Sequence, residues 1–183
     1  LALTGATSDL TSGSSRTLTA TLQDAAGNTV PTTGTTVTYA QTAGAGTVTG
    51  LATANTSGGV ATLDVTGNAV GSVTMRASIT TPSVVNSNTL TFAVVAGGVT
   101  QMTLSAATSD LTAGVSRTLT ATLKDAAGNT VPTTGTSVTF AKASGAGTVT
   151  GLGSASTTVG VATLDVSGAL AGAVTLTASI ADP

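Results

Sequence analysis

The eleven residues at 24–34, DAAGNTVPTTG, return unchanged at 125–135. Asp, Asn and Gly together invite a calcium reading, but a hard cation takes 6 to 8 oxygen ligands, and a calcium loop sets several carboxylates at alternating positions before a distal Glu. Each stretch offers one Asp, and all seven acidic residues of the chain are Asp. The stretch therefore reads as a turn. Asp24 supplies a side-chain acceptor at the start of a type I turn, Gly27 takes the left-handed position that follows, and Pro31, which cannot donate to a ladder, leads into an edge. The weak metal candidates that remain are Asp9, Asp64 and Asp110, which two units meeting end to end would pool around one ion. No cofactor is expected.

Catalytic chemistry finds no support. A serine nucleophile needs a neighbouring base, yet the chain has no His, and its two lysines, Lys124 and Lys142, lie far along the sequence from Ser14 and Ser15. Paired-carboxylate hydrolysis needs two acids converging to about 5–10 Å, and Asp9, Asp24 and Asp64 fall on separate elements. The GAGTVTG stretch at 44–50 has the glycines of a phosphate loop without its lysine or following helix, and reads as a tight connection between strands. Asn55-Thr56-Ser57 fits the N-glycosylation pattern, but its counterpart Ser156-Thr157-Thr158 does not, so the match reads as chance. Tyr39, Phe92 and Phe140 would make a carbohydrate platform if exposed. Their places on apolar strand faces predict core packing instead. The expectation is a protein that is not an enzyme.

Composition narrows the partners. Charged residues are 7% of the chain and hydrophobic residues 40%, with a net charge of −2. Five basic residues, Arg16, Arg76, Arg117, Lys124 and Lys142, cannot build a phosphate-tracking surface, which excludes nucleic acid. The longest apolar or glycine run, residues 92–99, is far short of the roughly 20 residues a membrane helix needs. No disulfide is possible without Cys, so stability rests on the core, which a domain of about 100 residues can supply. A start at Leu1, with neither Met nor a charged leader, suggests a mature or excised piece of a longer protein.

Ser8-Asp9-Leu10-Thr11 matches Ser109-Asp110-Leu111-Thr112, and the residues at 16–22 and 59–65 match those at 117–123 and 160–166, always at an offset of 101. That is the period of a domain array rather than a solenoid. Within a unit the period is two: Leu18, Ala20 and Leu22 alternate with threonines, as do Val73, Met75, Ala77 and Ile79 with Ser72, Thr74, Arg76 and Ser78. Such alternation marks half-buried strands with one wet face, where the β-branched threonine fits the pleat and turns its hydroxyl to water. About seven strands are predicted per unit, near 1–7, 16–23, 35–41, 46–51, 59–66, 71–79 and 88–96. Seven short strands in about 100 residues is the pattern of an immunoglobulin-like sandwich. The fold class expected is all-β: two tandem immunoglobulin-like β-sandwich domains, residues 1–97 and 102–183, joined by a short linker at 98–101. So brief a linker predicts a semi-rigid rod.

The run LTATLKDAAGNTVPTTGTSVTF at 119–140, followed by GTVTG, GVATLDV and AGAVTLTAS, resembles the bacterial Ig-like group 1 domains of invasin and intimin type adhesins. The resemblance covers almost the whole of both units. It implies a stalk or spacer segment of a bacterial cell-surface adhesin or extracellular filament, outside the cell, with neighbouring Ig-like domains of the same or adjacent chains as partners. Any host receptor or glycan would then be bound by parts outside this chain. The alternative role is a glycan- or receptor-binding module, displayed on a phage virion. The second unit stops at Pro183, the counterpart of Pro82, before any equivalent of the strand near 88–96. Either the chain is part of a longer protein, or a neighbouring chain donates the strand.

Overall fold

The computed structural model describes residues 1–181. The chain divides into two compact units, Leu1–Gly97 and Gly98–Pro183. The first holds nine strands: β1 (Ala2–Thr4), β2 (Leu10–Thr11), β3 (Ser15–Thr21), β4 (Thr36–Ala43), β5 (Val48–Thr49), β6 (Thr53–Asn55), β7 (Val60–Gly67), β8 (Gly71–Ile79) and β9 (Val85–Val95). They form one sheet in the order β1-β3-β7-β5 and a second in the order β2-β9-β8-β4-β6. Every pairing is antiparallel except β2 with β9, which is parallel.

The period-two pattern sets which side chains meet. On β3, Arg16, Leu18 and Ala20 are buried while Ser15 and Thr17 face water; on β8, Val73, Met75, Ala77 and Ile79 are buried. The inner faces of both sheets close on one cluster that includes Leu3, Leu18, Val37, Val65, Met75 and Phe92. Burying side chains of this size contributes roughly 1.5–3 kcal/mol each relative to exposure, which is how a chain without disulfides holds a sandwich together. Outside, the register lines up hydroxyls across strands: Thr4 beside Thr19 beside Thr62, and Ser15 beside Thr66 beside Thr49.

Among the described residues the second unit repeats this plan with seven strands: β10 (Gln101–Ser105), β11 (Ser116–Lys124), β12 (Ser137–Ser144), β13 (Thr148–Thr150), β14 (Ser154–Ser156), β15 (Val161–Leu170) and β16 (Thr175–Ile180). Its sheets run β10-β11-β15-β13 and β14-β12-β16. Two strands of the first unit, β2 and β6, lie outside the predicted segments, because two- and three-residue edge strands leave no room for alternation to show. Among the described residues, the second unit has no counterpart of β2 or β9.

Candidate functional site

The repeated DAAGNT loop is closed by hydrogen bonds among its own atoms. Asp24 Oδ1 accepts from the backbone N–H of Ala26 and of Asn28, each at 2.9 Å, and Oδ2 accepts from Asn28 Nδ2 at 3.0 Å. The Asp24 N–H donates to Asn28 O at 2.9 Å, and Gly27 sits at φ 87°, in the left-handed region where a side chain would be strained. These bonds stabilise the ionised carboxylate, the Asn28 side chain first, and hold Asp24 below the usual carboxylate range. Asp125 repeats the arrangement with Ala127, Asn129 and Gly128. The geometry is that of a turn.

Asp9, Asp64 and Asp110 sit apart in kind. Asp64, on β7, accepts from the Thr17 hydroxyl of β3 at 2.5 Å, and Asp165 accepts from Thr118 at 2.6 Å, so this carboxylate is a cross-strand partner in both units. Asp9 lies on the β1–β2 connection, where its carbonyl accepts from Arg16 Nη2 at 3.2 Å; the Asp110 carbonyl accepts from Arg117 at 3.3 Å. Among the described residues, no group of three acidic or other metal-ligating side chains converges.

Arg16 and Arg117 are structural residues that alternation alone did not single out. Arg16 Nη2 donates to Ser8 O at 2.8 Å, pinning the segment that carries the chain from the first sheet to the second. Its guanidinium carbon lies 4.5 Å from the centroid of the Phe92 ring, within cation–π range. Burial pushes the guanidinium down from its ordinary value, and the charge of Asp9 pulls it back up. Arg117 makes the same bond to Ser109 O at 2.6 Å. The signal was present in the sequence: Ser and Arg recur eight residues apart in both units, within otherwise charge-poor strands.

The other candidates are absorbed in the same way. Tyr39, Phe92 and Phe140 are 3%, 3% and 1% exposed, which removes the carbohydrate platform; Tyr39 donates its hydroxyl to Ala61 O at 2.7 Å, and burial raises its pKa. In the 44–50 stretch, Gly46 N–H donates to Ser72 O and Thr47 N–H to Ala69 O, each at 3.0 Å. A Cβ on Gly44 would stand 2.0 Å from Ser72 O, so the glycine is there for close approach of two backbones. Thr56 of the glycosylation pattern is buried, donating its hydroxyl to Thr32 O at 2.8 Å and accepting from Thr35 N at 3.1 Å. Ser15 Oγ lies 3.4 Å from the Thr66 hydroxyl, a partner that cannot act as a base.

One concavity stands out. An open groove of about 950 Å³ in the second unit is lined by Leu104, Leu111, Leu119, Val149, Val166 and Leu176. Their counterparts at an offset of 101, namely Leu3, Leu10, Leu18, Val48, Val65 and Met75, are all buried in the first unit. The difference is β9, whose Leu90, Phe92 and Val94 are buried in the core of that unit. No helix among the described residues is long and apolar enough to cross a membrane.

No family model matches the chain. Among solved structures it is similar to the D0-D1 domain of intimin, at 22% identity and TM-score 0.39 over 99% of this chain and 91% of that one. It is similar also to the D00-D0 domain of intimin, at 18% identity and TM-score 0.49 over 98% and 92% of the two chains. A third is the Escherichia coli adhesin FdeC, at 20% identity and TM-score 0.49 over 95% and 58%. By its own strands the chain is all-β, two units each built of two sheets.

Proposed function

We propose that the chain is a stalk or spacer segment of a bacterial surface adhesin, displayed outside the cell. One observation carries this reading: the polar groups that could do chemistry are bonded into their own units. The carboxylates of Asp24, Asp64, Asp125 and Asp165 hold loops and strand pairs, Arg16 holds the crossing between sheets, and Arg117 holds the connection from β10 to β11. Outside, rows of threonine and serine hydroxyls alternate with few charges, Arg76, Asp9 and Asp110 among them, a surface that stays hydrated. Neighbouring Ig-like domains are the partners this role requires. The short connection at 98–100, before β10 begins at Gln101, suits a segment that transmits force.

The test is binding. The 183-residue protein is expected to give no signal on a glycan array or on host cells. Saturable, glycan-specific binding by the isolated chain would replace the spacer reading with that of a binding module.

A further inference from the structure

The chain enters and leaves the first unit along a shared boundary. Leu3 of β1 meets Asn88 near the start of β9, and farther on Leu10 of β2 pairs with Val94 near its end, so β1 and β2 run the same way as β9. Tension between Leu1 and Gly97 therefore draws β1 and β2 in one direction and β9 in the other, along the strand axis. Hydrogen bonds across a boundary loaded in this way stretch together, whereas those of a strand pulled sideways open one after another.

The boundary is densely bonded. Asn88 brackets Leu3, accepting from its N–H at 2.8 Å and donating to its carbonyl at 3.0 Å. β2 lies in parallel register on β9, Leu10 opposite Val94 and Thr11 opposite Val95, and the Ser12 N–H donates to Val95 O at 2.8 Å. Between these two contacts Arg16 Nη2 donates to Ser8 O at 2.8 Å, which limits the slack that the connection from β1 to β2 can release. Just beyond β2 the Gly13 N–H donates to Gly67 O at 2.9 Å, tying the chain back to β7. Leu3, Leu10 and Val94 are buried, so water is kept from replacing these bonds as they stretch.

We infer that the first unit is a shear clamp, which yields to tension along the chain only when the bracket of Asn88 on Leu3 and the register of β2 on β9 break together. Asn88 carries load from β1, in one sheet, to β9, in the other. The use of the clamp rests on the spacer reading, because tension is the load that a spacer bears. Its strength rests on the bonds of the first unit alone.

The test is single-molecule extension of the 183-residue protein at constant force, which reads the unfolding rate. The chain has no Cys, so one introduced cysteine is a unique attachment point. The shear pair is the N-terminal amine with Gly98→Cys, a position where an added Cβ meets nothing within 4 Å. The peeling pair is the N-terminal amine with Val84→Cys, 71% exposed just before β9, which draws β1 sideways from the start of that strand. The shear pair is expected to outlast the peeling pair about a hundredfold or more at the same force, since several bonds worth about 1 kcal/mol each must break at once. Asn88→Ala is expected to shorten the shear lifetime about tenfold through loss of two of them. Thr36→Val removes a 2.9 Å hydrogen bond to Asn55 between β4 and β6, off the load path, and is expected to change that lifetime by no more than about twofold. Equal lifetimes for the two pairs, or an effect of Asn88→Ala no larger than that of Thr36→Val, would overturn the clamp and leave the spacer reading to its own binding test. Saturable glycan binding would remove the spacer reading and leave these lifetimes as they are.

Discussion

Phe92→Ala tests whether β9 is the keystone of the first unit. The ring is 3% exposed and packs in the cluster with Val73, Met75 and Leu18. Truncating a buried Phe to Ala costs about 3–5 kcal/mol, part of it the cavity left behind. The ring also lies 4.5 Å over Arg16, worth about 0.5–2 kcal/mol more, partly returned as water reaches the guanidinium. Against the roughly 5–15 kcal/mol of a typical domain, the first unit should lose about a fifth or more of its stability. Tyr39 is the only tyrosine and the chain has no Trp, so tyrosine emission during urea unfolding reports the first unit alone, while exchange protection of β11 and β15 follows the second. Phe92→Leu conserves most of the buried volume and should cost under about 1.5 kcal/mol in packing. A double-mutant cycle of Phe92→Leu with Arg16→Met should isolate a coupling of about 0.5–2 kcal/mol. A loss under about 1.5 kcal/mol for Phe92→Ala, or an equal loss in the second unit, would refute the reasoning.

Three further outcomes follow from particular residues. Val159 is held at φ 49° where the first unit has Gly58 at φ 58°, and both N–H groups donate to a threonine hydroxyl at 3.1 Å; Val159→Gly relieves about 1–3 kcal/mol of backbone strain against about 0.5–1 kcal/mol of added chain entropy, so the second unit should gain about 1 kcal/mol in urea unfolding. Burial raises the pKa of Tyr39 above its ordinary 10.0, so the first unit keeps this contribution below that value and loses it as pH rises through the higher folded one; Tyr39→Phe should abolish this alkaline loss while costing about 0.5–1.5 kcal/mol at neutral pH, measured by urea unfolding across the pH range. The Asp24 carboxyl is held below its ordinary 3.8, so the stabilisation lost in Asp24→Ala should be constant above that value and vanish as pH falls through the lower folded one; a difference in urea midpoint that instead grows on acidification would contradict the turn geometry.

Much of the fold was legible because its determinants are local. Alternation on β3, β8 and β9 depends only on neighbours two residues apart, and Asp24-Ala-Ala-Gly-Asn closes a turn with its own atoms. The interior place of Tyr39, Phe92 and Phe140 follows from the same periodicity. The role of Asn88 was not legible. Asn reads as turn punctuation in a sequence, and only the approach of β1 to β9 gives its amide a backbone to bracket. Nor was the role of Thr56 and Thr157, buried hydroxyls that tie one loop to the next.

The repeated tetrapeptide Ser-Asp-Leu-Thr separates the two kinds of information. At 8–11 its Leu10 and Thr11 form β2, paired with Val94 and Val95; at 109–112 the same residues, followed by the counterpart of the same turn, form no strand. Local sequence determined the alternation, the turns and which face of each strand is apolar, because those preferences act over a few residues. Whether an edge segment becomes a strand was decided by tertiary structure, because a two-residue strand has no ladder of its own and exists only where a neighbour presents its N–H and C=O groups.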